Sequence, residues 1–551
     1  MDRIAGDVVA AFDRSTTLVC ASGISPSGSI HMGNLREVFT THLVTEALRR
    51  RGIEATHLHS WDDYDRLRKV PAGVPESYAE FIGMPLAEVP DPCGQHDSYA
   101  EHYIQEFVGA LTELGIAISP VRQSEQYRRG AYNQQIRQAM DARLVIFDIL
   151  AEQTAGRHEL PAEERRRTYY PFKPYCAHCG KDDTTVVVYD EPRAFYVCRH
   201  GHEGCVDLSD GLPIRGKLVW KVDWPMRWAY ERVAFEPAGE DHHAPTGSFS
   251  VGKRIVTDVY SGRAPHSAVY SFVSMAGVSG KMSGSRGSAA IPANVLGLIE
   301  PVIARWLYVR RLPAQSFSID LGAEPIQRLY DEWDRFVAKA SAPDADEVET
   351  RVLEAARTTT AGEVDATDLP VSFRLLGSVA DITQGSIPQL TRIVRAHLDG
   401  ASSEAALPTD VSEFAELLRP RLDCALTWAE TALPPESRTV VREEFNAAAW
   451  AGLDALTRTG IRIVVDQLAD SWDLAALTRL AYAVPKRVNG LEPDAAPTPE
   501  LKALQRRFFI ALYRLLCSTD TGPRLPTLML SIGLDRVREL LGGAGEHAAL
   551  S

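Results

Sequence analysis

His31 and Lys281 are the two side chains around which this sequence can organise chemistry on phosphate. His31 stands in SPSGSIHMGN (Ser25–Asn34), between Gly28 and Gly33. Glycines let backbone amides approach an anion closely. A helix starting there aims its positive N-terminus at the same point, and an imidazole adds a donor where charge develops between phosphates. Alone, the stretch reads equally well as a tight strand-to-helix turn with a solvent-facing histidine. Lys281 stands in GKMSGSRG (Gly280–Gly287), one cation among small and hydroxyl residues. Such a loop can close over a triphosphate and neutralise departing pyrophosphate; alone, it reads as a flexible surface loop. An H-x-G loop early in the chain and K-M-S-x-S far downstream rarely coincide, and the pair favours a nucleotide site. Gly28, His31, Gly33 and Asn34 are then expected to face the nucleotide, with Pro26 shaping the turn.

A second chemistry is suggested by cysteines. CAHC (Cys176–Cys179) is a C-x₂-C knuckle, and CRHGHEGC (Cys198–Cys205) lies nineteen residues on. In a reducing compartment such clustering points to metal rather than disulfides. Three thiolates and one imidazole would make a closed tetrahedral zinc site. Cys176, Cys179 and Cys198 are the firmer ligands. The fourth is expected to be His202, with His200 and Cys205 as alternatives, and a metal-free hairpin of reduced cysteines is the competing reading.

The elements that must position these residues are legible around them. TLVCA (Thr17–Ala21) is a short β-branched run. Beyond the loop, Leu35, Val38, Phe39, Leu43, Val44, Ala47 and Leu48 recur at helical spacing until Gly52 offers a stop. Strand, glycine loop and helix form the first unit of a nucleotide-binding α/β fold. ATHLHSW (Ala55–Trp61) reads as a second strand, and Ser98–Leu114 as an amphipathic helix. KLVWKVD (Lys217–Asp223) and SAVYSFV (Ser267–Val273) read as strands. After Ile291 strand signals fade into helices and polar loops.

With 551 residues, the chain exceeds a single core, and about two to four domains are expected. The plan is a Rossmann-like parallel-sheet domain (1–150 and 216–290), interrupted by a zinc-ribbon-like insertion (151–215), then helical regions at 291–345 and 346–551. No apolar run approaches the ~18 residues of a membrane span. The N-terminus lacks a secretory pattern, so a cytoplasmic protein is expected. The net charge of −14 argues against a surface that is all nucleic-acid footprint. Screening over about 8–10 Å still permits local basic patches, such as EERRRTYYPFKPY (Glu163–Tyr175), YRRG (Tyr127–Gly130) and YVRR (Tyr308–Arg311).

PSGSIHMGN resembles the HIGH motif, and KMSGS the KMSKS motif, of class I aminoacyl-tRNA synthetases. Further stretches are similar to the class I, archaeal-type lysyl-tRNA synthetases: WDDYDRLRKVP (Trp61–Pro71), VPDPCGQHDSYAEHY (Val89–Tyr103), KVDWPMRW (Lys221–Trp228), FEPAGEDHH (Phe235–His243), FFIALYRLL and GPRL (within Phe508–Leu525). The resemblance implies that lysine is activated by ATP with magnesium, then passed to the 2′-hydroxyl of the terminal adenosine of tRNA(Lys) by a monomeric enzyme. Lys281, Met282 and Gly284 would line the nucleotide, and Ser283 and Ser285 would bond phosphates or shape the loop. Gly23, Ser25, Trp224 and His242 would line the amino-acid pocket. The lysine ammonium needs an anion, and Asp62, Asp63, Asp223 and Asp241 are the candidates, undecided by sequence. His200 occupies a usual cysteine position of the family. Departures from the family pattern occur at Glu240, at SFS (Ser248–Ser250) and at YSF (Tyr270–Phe272), which keeps open a paralogue charging a different amino acid. A small-molecule nucleotidylyltransferase and a non-enzymatic binding protein are more distant alternatives. The helical C-terminal part would read the anticodon. In Leu504–Cys517, Phe508, Leu512 and Leu515 suit a core, and Arg506 and Arg507 suit phosphate.

Overall fold

The computed structural model describes residues 1–152, 161–276, 290–398, 407–468, 472–492, 495–496 and 498–542. The chain divides into two compact units. The first comprises Met1–Leu296, Pro301–Asp320 and Asp346–Val364; the second comprises Gly297–Glu300, Leu321–Ala345 and the chain from Asp365 onward.

The first unit is built on four parallel strands: β1 (Leu18–Ile24), β2 (Ala55–Trp61), β3 (Ser119–Arg122) and β4 (Val233–Phe235), in the order β3-β2-β1-β4. Pairing runs from Leu18 opposite Ala55 to Ile24 opposite Trp61, so β1 and β2 end together. Helix α1 (Asp2–Ala11) packs on α2 (Met32–Arg50), which links β1 to β2. Leu35, Val38, Phe39, Leu43, Val44, Ala47 and Leu48 are all buried, the face their spacing predicts. Gly52 takes a left-handed backbone (φ +72°), which turns the chain into β2 without a side-chain clash. Helix α3 (Tyr99–Glu113) is capped by Ser98, whose hydroxyl accepts from the Glu101 amide.

The insertion leaves the sheet through an antiparallel pair, Phe172–Pro174 with Gly216–Leu218. It ends in a three-stranded antiparallel ribbon, Thr184–Asp190, Arg193–Cys198 and Glu203–Asp207. The expected strand at 217–223 is only partly present: it stops at Leu218, and Trp220–Glu231 is helix α4. Trp220, Trp224 and Trp228 lie four residues apart; Trp220 stacks on Trp224, and Trp224 meets Trp228 at a tilt, so the helical period prevails over apparent alternation. Similarly, 267–273 divides into Val269–Tyr270, which pairs with Ala238–Gly239, and Val273–Met275, which pairs with Phe317–Ile319.

The second unit is helical among its described residues, and Pro499–Cys517 runs through its core. Phe508, Leu512 and Leu515 are buried there beside Ile461, Val464 and Leu528, whereas Arg506 and Arg507 are exposed. Buried Arg421 joins the helices by ion pairs to Glu300 (2.6 Å) and Asp334 (2.9 Å). No helix among the described residues is long and apolar enough to cross a membrane.

Candidate active site

β1 delivers residues 25–31 to the carboxyl edge of the sheet, where α2 begins. His31 is the N-cap of α2: its Nδ1 accepts the Gly33 amide (3.1 Å), while Asn34 Oδ1 accepts the His31 amide (3.2 Å). An accepting Nδ1 puts the imidazole proton on Nε2. The ring is thus a fixed donor at the positive end of a helix, suited to an anion. Pro26 and Gly28 are buried in the turn, and Gly33 and Asn34 are half-buried. The loop is held from outside by Tyr99, which donates to the Ser27 carbonyl (3.1 Å), and by Tyr308, which donates to the Met32 carbonyl (2.7 Å). Lys281, Met282, Ser283, Gly284 and Ser285 lie outside the described residues.

Beside this loop stands a carboxylate that the sequence reading missed. Glu37, in the second turn of α2, accepts the Gly23 amide through Oε1 (2.8 Å) and the Tyr270 hydroxyl through Oε2 (2.8 Å). Burial pushes its carboxyl up to about 8 despite those two donors, with Glu236 and Asp62 adding repulsion. Among the described residues it has no cationic partner, although its side chain is only half-buried. A carboxylate so placed is suited to a cation that arrives with a ligand.

The ring of contacts continues from Tyr270. Gly239 pairs opposite it, and a Cβ at Gly239 would fall 2.7 Å from Asp241 Oδ1. His242 meets Trp224 edge-on at 5.5 Å. Trp224 is fixed in turn by Glu236, whose two oxygens accept the indole N–H groups of Trp224 (3.0 Å) and Trp228 (2.6 Å). Gly23 and Ser25 are half-buried at the end of β1, and Asp241 is exposed.

Asp62, Asp63 and Asp223, considered for the ammonium, have other partners. Asp62 pairs with Arg227 (2.7 Å). Asp63 accepts both the amide (2.8 Å) and the hydroxyl (2.5 Å) of Ser124. Asp223 accepts the Tyr127 hydroxyl and faces Lys217 and Arg227. Lys217 also pairs with Asp65 (2.6 Å), so this buried network ties the insertion to the carboxyl edge of β2.

Two clusters could hold a metal. In the ribbon, one ligand atom from each of Cys176, Cys179, Cys198 and His202 lies within 4.8 Å of the others. Cys179 and Cys198 place their sulfurs 3.7 Å apart, and Cys176 Sγ is 3.7 Å from His202 Nδ1. A tetrahedral ion with ~2.3 Å metal–sulfur bonds requires sulfurs about 3.8 Å apart, so the donor set fits zinc. The His200 amide donates to Cys198 Sγ (3.5 Å). His200 and Cys205 are outside the cluster, and Cys205 pairs within the ribbon opposite Phe195. The other cluster, Asp91, Cys93, His96 and His102, went unread in the sequence, although D-x-C-x₂-H-x₅-H carries its signature. Cys93 Sγ is 3.4 Å from Nδ1 of both histidines, and each of those nitrogens is 3.0 Å from an Asp91 oxygen. His102 lies in the first turn of α3, three residues from Tyr99, which braces the phosphate-loop candidate.

Comparison with known proteins points the same way. Residues 1–359 match the family model described as tRNA synthetases class I (K). A lysine–tRNA ligase of Streptomyces coelicolor is 45% identical, with 98% of each chain covered. One of Pyrococcus horikoshii is 33% identical over 96% of this chain and 97% of its own, and one of Treponema pallidum 33% over 98% and 97%.

Proposed function

This chain belongs to the class I (K) tRNA synthetases, and from that premise we propose that it is a lysine–tRNA ligase, activating lysine with ATP and transferring it to tRNA(Lys). The observation that carries the lysine assignment is Glu37. It is a half-buried carboxyl beside the candidate phosphate loop, oriented by Gly23 and Tyr270 and without a cationic partner among the described residues. A lysine ammonium there would complete a charge-assisted pair of the kind that selects a ligand. Trp224 and His242 would flank the aliphatic stem, with Gly23 and Ser25 beside the amino-acid backbone.

In the first step a lysine carboxylate oxygen attacks the α-phosphorus of ATP. The bond from that phosphorus to the bridging oxygen breaks, and pyrophosphate leaves. The nucleophile is already ionised, so rate comes from positioning and charge stabilisation. His31 Nε2–H donates to the phosphates, and the amides around Gly28 would hold them at the start of α2, where the Gly33 amide keeps the imidazole in place. Magnesium bound with the triphosphate supplies neutralising charge. Lys281 is assigned to the pyrophosphate, with Ser283 and Ser285 as donors. In the second step the 2′-hydroxyl of the terminal adenosine attacks the lysyl carbonyl and AMP leaves, taking the hydroxyl proton on its phosphate.

We assign Cys176, Cys179, Cys198 and His202 to a structural zinc ion, and Asp91, Cys93, His96 and His102 to a second divalent ion that braces α3. None of the eight cysteines is in a disulfide, and we assign the protein to the cytoplasm. The helical second unit is assigned to the anticodon end of the tRNA. ATP–pyrophosphate exchange across the standard amino acids tests the proposal. Exchange with lysine alone is expected, followed by charging of tRNA(Lys). Strong exchange with a different amino acid and none with lysine would establish a paralogue instead.

A further inference from the structure

Arg36 is a buried cation that the activation chemistry leaves unused. It precedes Glu37 on α2, only 2% of its surface is exposed, and no carboxylate among the described residues pairs with it. Its donors go to one turn. Nη2 lies 2.6 Å from the Leu312 carbonyl oxygen, 2.9 Å from that of Pro313 and 3.2 Å from that of Gln315. The turn closes on itself: the Gln315 amide donates to the Leu312 carbonyl (3.0 Å), and Gln315 Oε1 accepts the Leu312 amide (2.9 Å). The guanidinium also lies over the Phe317 ring at 5.5 Å. This arrangement leaves Arg36 Nε without a partner. An apolar side chain would fill the same space without the cost of burying a charge. A guanidinium is worth that cost where several carbonyls must be held in one arrangement.

The same turn holds the segment that carries Tyr270. Ser271 donates its amide to the Pro313 carbonyl (3.0 Å) and its hydroxyl to the Ala314 carbonyl (2.9 Å). Just beyond, Val273–Met275 pairs with Phe317–Ile319, the strand that leaves the turn. The Tyr270 hydroxyl in turn donates to Glu37 Oε2 (2.8 Å). These contacts make a closed circuit. Arg36 grips the turn, the turn holds Ser271, Tyr270 beside it holds Glu37, and Glu37 is the next residue of α2 after Arg36. The Pro313 carbonyl is the junction, since it accepts from both Arg36 and Ser271.

Resting on the ligase reading above, we propose that Arg36 is a positioning residue of the lysine site, which fixes Tyr270, and through it the Glu37 carboxylate, by way of the turn at 312–315. Arg36 does not touch the ligand. Its effect on lysine passes through the turn, because α2 alone sets the backbone of Glu37 and leaves the direction of its carboxylate to the Gly23 amide and the Tyr270 hydroxyl. A hydrogen-bonded circuit of this kind holds its members more firmly together than any one bond would.

The test is pyrophosphate exchange by the full-length protein, with wild type compared with Arg36→Met, Gln315→Ala, Tyr270→Phe and the Arg36→Met/Tyr270→Phe double variant. Arg36→Met should raise the KM for lysine about tenfold, the weight of one hydrogen bond to a charged group, while the KM for ATP stays within about twofold. The Tyr270 hydroxyl also favours the ionised form of Glu37 against the repulsion of Glu236 and Asp62. The pH below which the KM for lysine rises should therefore move upward in Arg36→Met, and by the same amount in Tyr270→Phe. The double variant should move no further than either single one, because the two residues act in series. Gln315→Ala loosens the exposed side of the turn with Arg36 in place and should raise the KM for lysine about two- to threefold; it carries the test if the methionine variant fails to fold. An unchanged KM for lysine in folded Arg36→Met, or in Gln315→Ala, overturns the inference. Equal rises for lysine and ATP overturn it too, because Arg36 would then serve packing alone, as do effects of Arg36→Met and Tyr270→Phe that multiply in the double variant. Exchange with a different amino acid and none with lysine in wild type would instead overturn the ligase reading, and the variants would be compared on the KM for that amino acid.

Discussion

Replacing Glu37 by glutamine removes a charge with almost no change of shape, and the structure states what should follow. The glutamine oxygen can still accept the Gly23 amide or the Tyr270 hydroxyl, each 2.8 Å from a carboxylate oxygen now. What disappears is the anion for the ligand's ammonium. Breaking a fully buried pair costs about 3–5 kcal/mol. Glu37 is half-buried, so the lower end applies, about 3 kcal/mol, or roughly a hundredfold in the KM for lysine. The kcat should change little, since the ammonium is remote from the phosphorus being attacked. A pH signature separates this from a packing defect. The empty-site carboxyl is pushed up to about 8, while the ammonium pairs with its ionised form. Below pH 8 lysine must displace a proton, so KM should rise as pH falls, approaching tenfold per unit. Above pH 8 the dependence should vanish, and Glu37→Gln should be flat throughout. Pyrophosphate exchange at saturating ATP between pH 6.5 and 8.5 measures both effects. A wild-type KM independent of pH, or a variant with the wild-type KM, would refute the role given to Glu37.

Four further positions give separate tests. His31→Ala should lower kcat for exchange by about 10²–10³ through the lost phosphate donor, and stability by about 1 kcal/mol through the lost N-cap; His31→Asn should restore the cap in denaturant melts but not the rate. Glu236→Gln turns an NH₂ toward one of two buried indoles, so it should destabilise the protein by about 1–3 kcal/mol and raise the KM for lysine by loosening Trp224. Cys198→Ser should lose one equivalent of zinc by metal analysis and expose the ribbon to proteolysis, and His102→Ala should lose the other bound ion while leaving the ribbon intact; wild-type metal content in either variant would falsify that cluster's assignment.

The parts of this molecule legible in sequence are those where local chemistry and spacing coincide. The run from Thr17 to Gly52 announces strand, glycine turn and helix because each residue's neighbours lie within a few positions. The structure follows it, with His31 as cap. The cysteine knuckles are local too, and His202 rather than His200 joins them because the strand from Glu203 begins one residue later and turns His202 inward toward Cys176. Glu37 was hidden for the opposite reason. In sequence it is an ordinary polar position on an amphipathic helix, and its meaning comes from Tyr270, more than two hundred residues away. Asp62, Asp63 and Asp223 were attractive in sequence because partners such as Arg227 and Ser124 become visible only after folding. The misread strand at 217–223 has a physical cause as well: tryptophans at 220, 224 and 228 fall on one face of a strand and on one face of a helix alike, so their spacing does not decide between the two.

The departures from the family pattern bear on whether the pocket still takes lysine, and the structure separates them from the carboxylate that would read it. Glu240 is exposed. Ser250 donates its hydroxyl to the His243 carbonyl (3.1 Å), within its own turn of chain. Ser271 turns away from the pocket: its amide donates to the Pro313 carbonyl (3.0 Å) and its hydroxyl to Ala314 (2.9 Å). Tyr270, between the altered positions, keeps its hydroxyl on Glu37. Side chains alternate along an extended segment, so a change at 271 leaves the facing of 270 intact. A pocket for a neutral or acidic side chain would have to abandon Glu37 or pair it with an internal cation. Neither has happened: the carboxylate is present and oriented, and no basic residue among those described reaches it. Phe249 packs on Trp224 at 5.8 Å, and the contacts of Glu37 with Gly23 and Tyr270 are in place beside these altered positions.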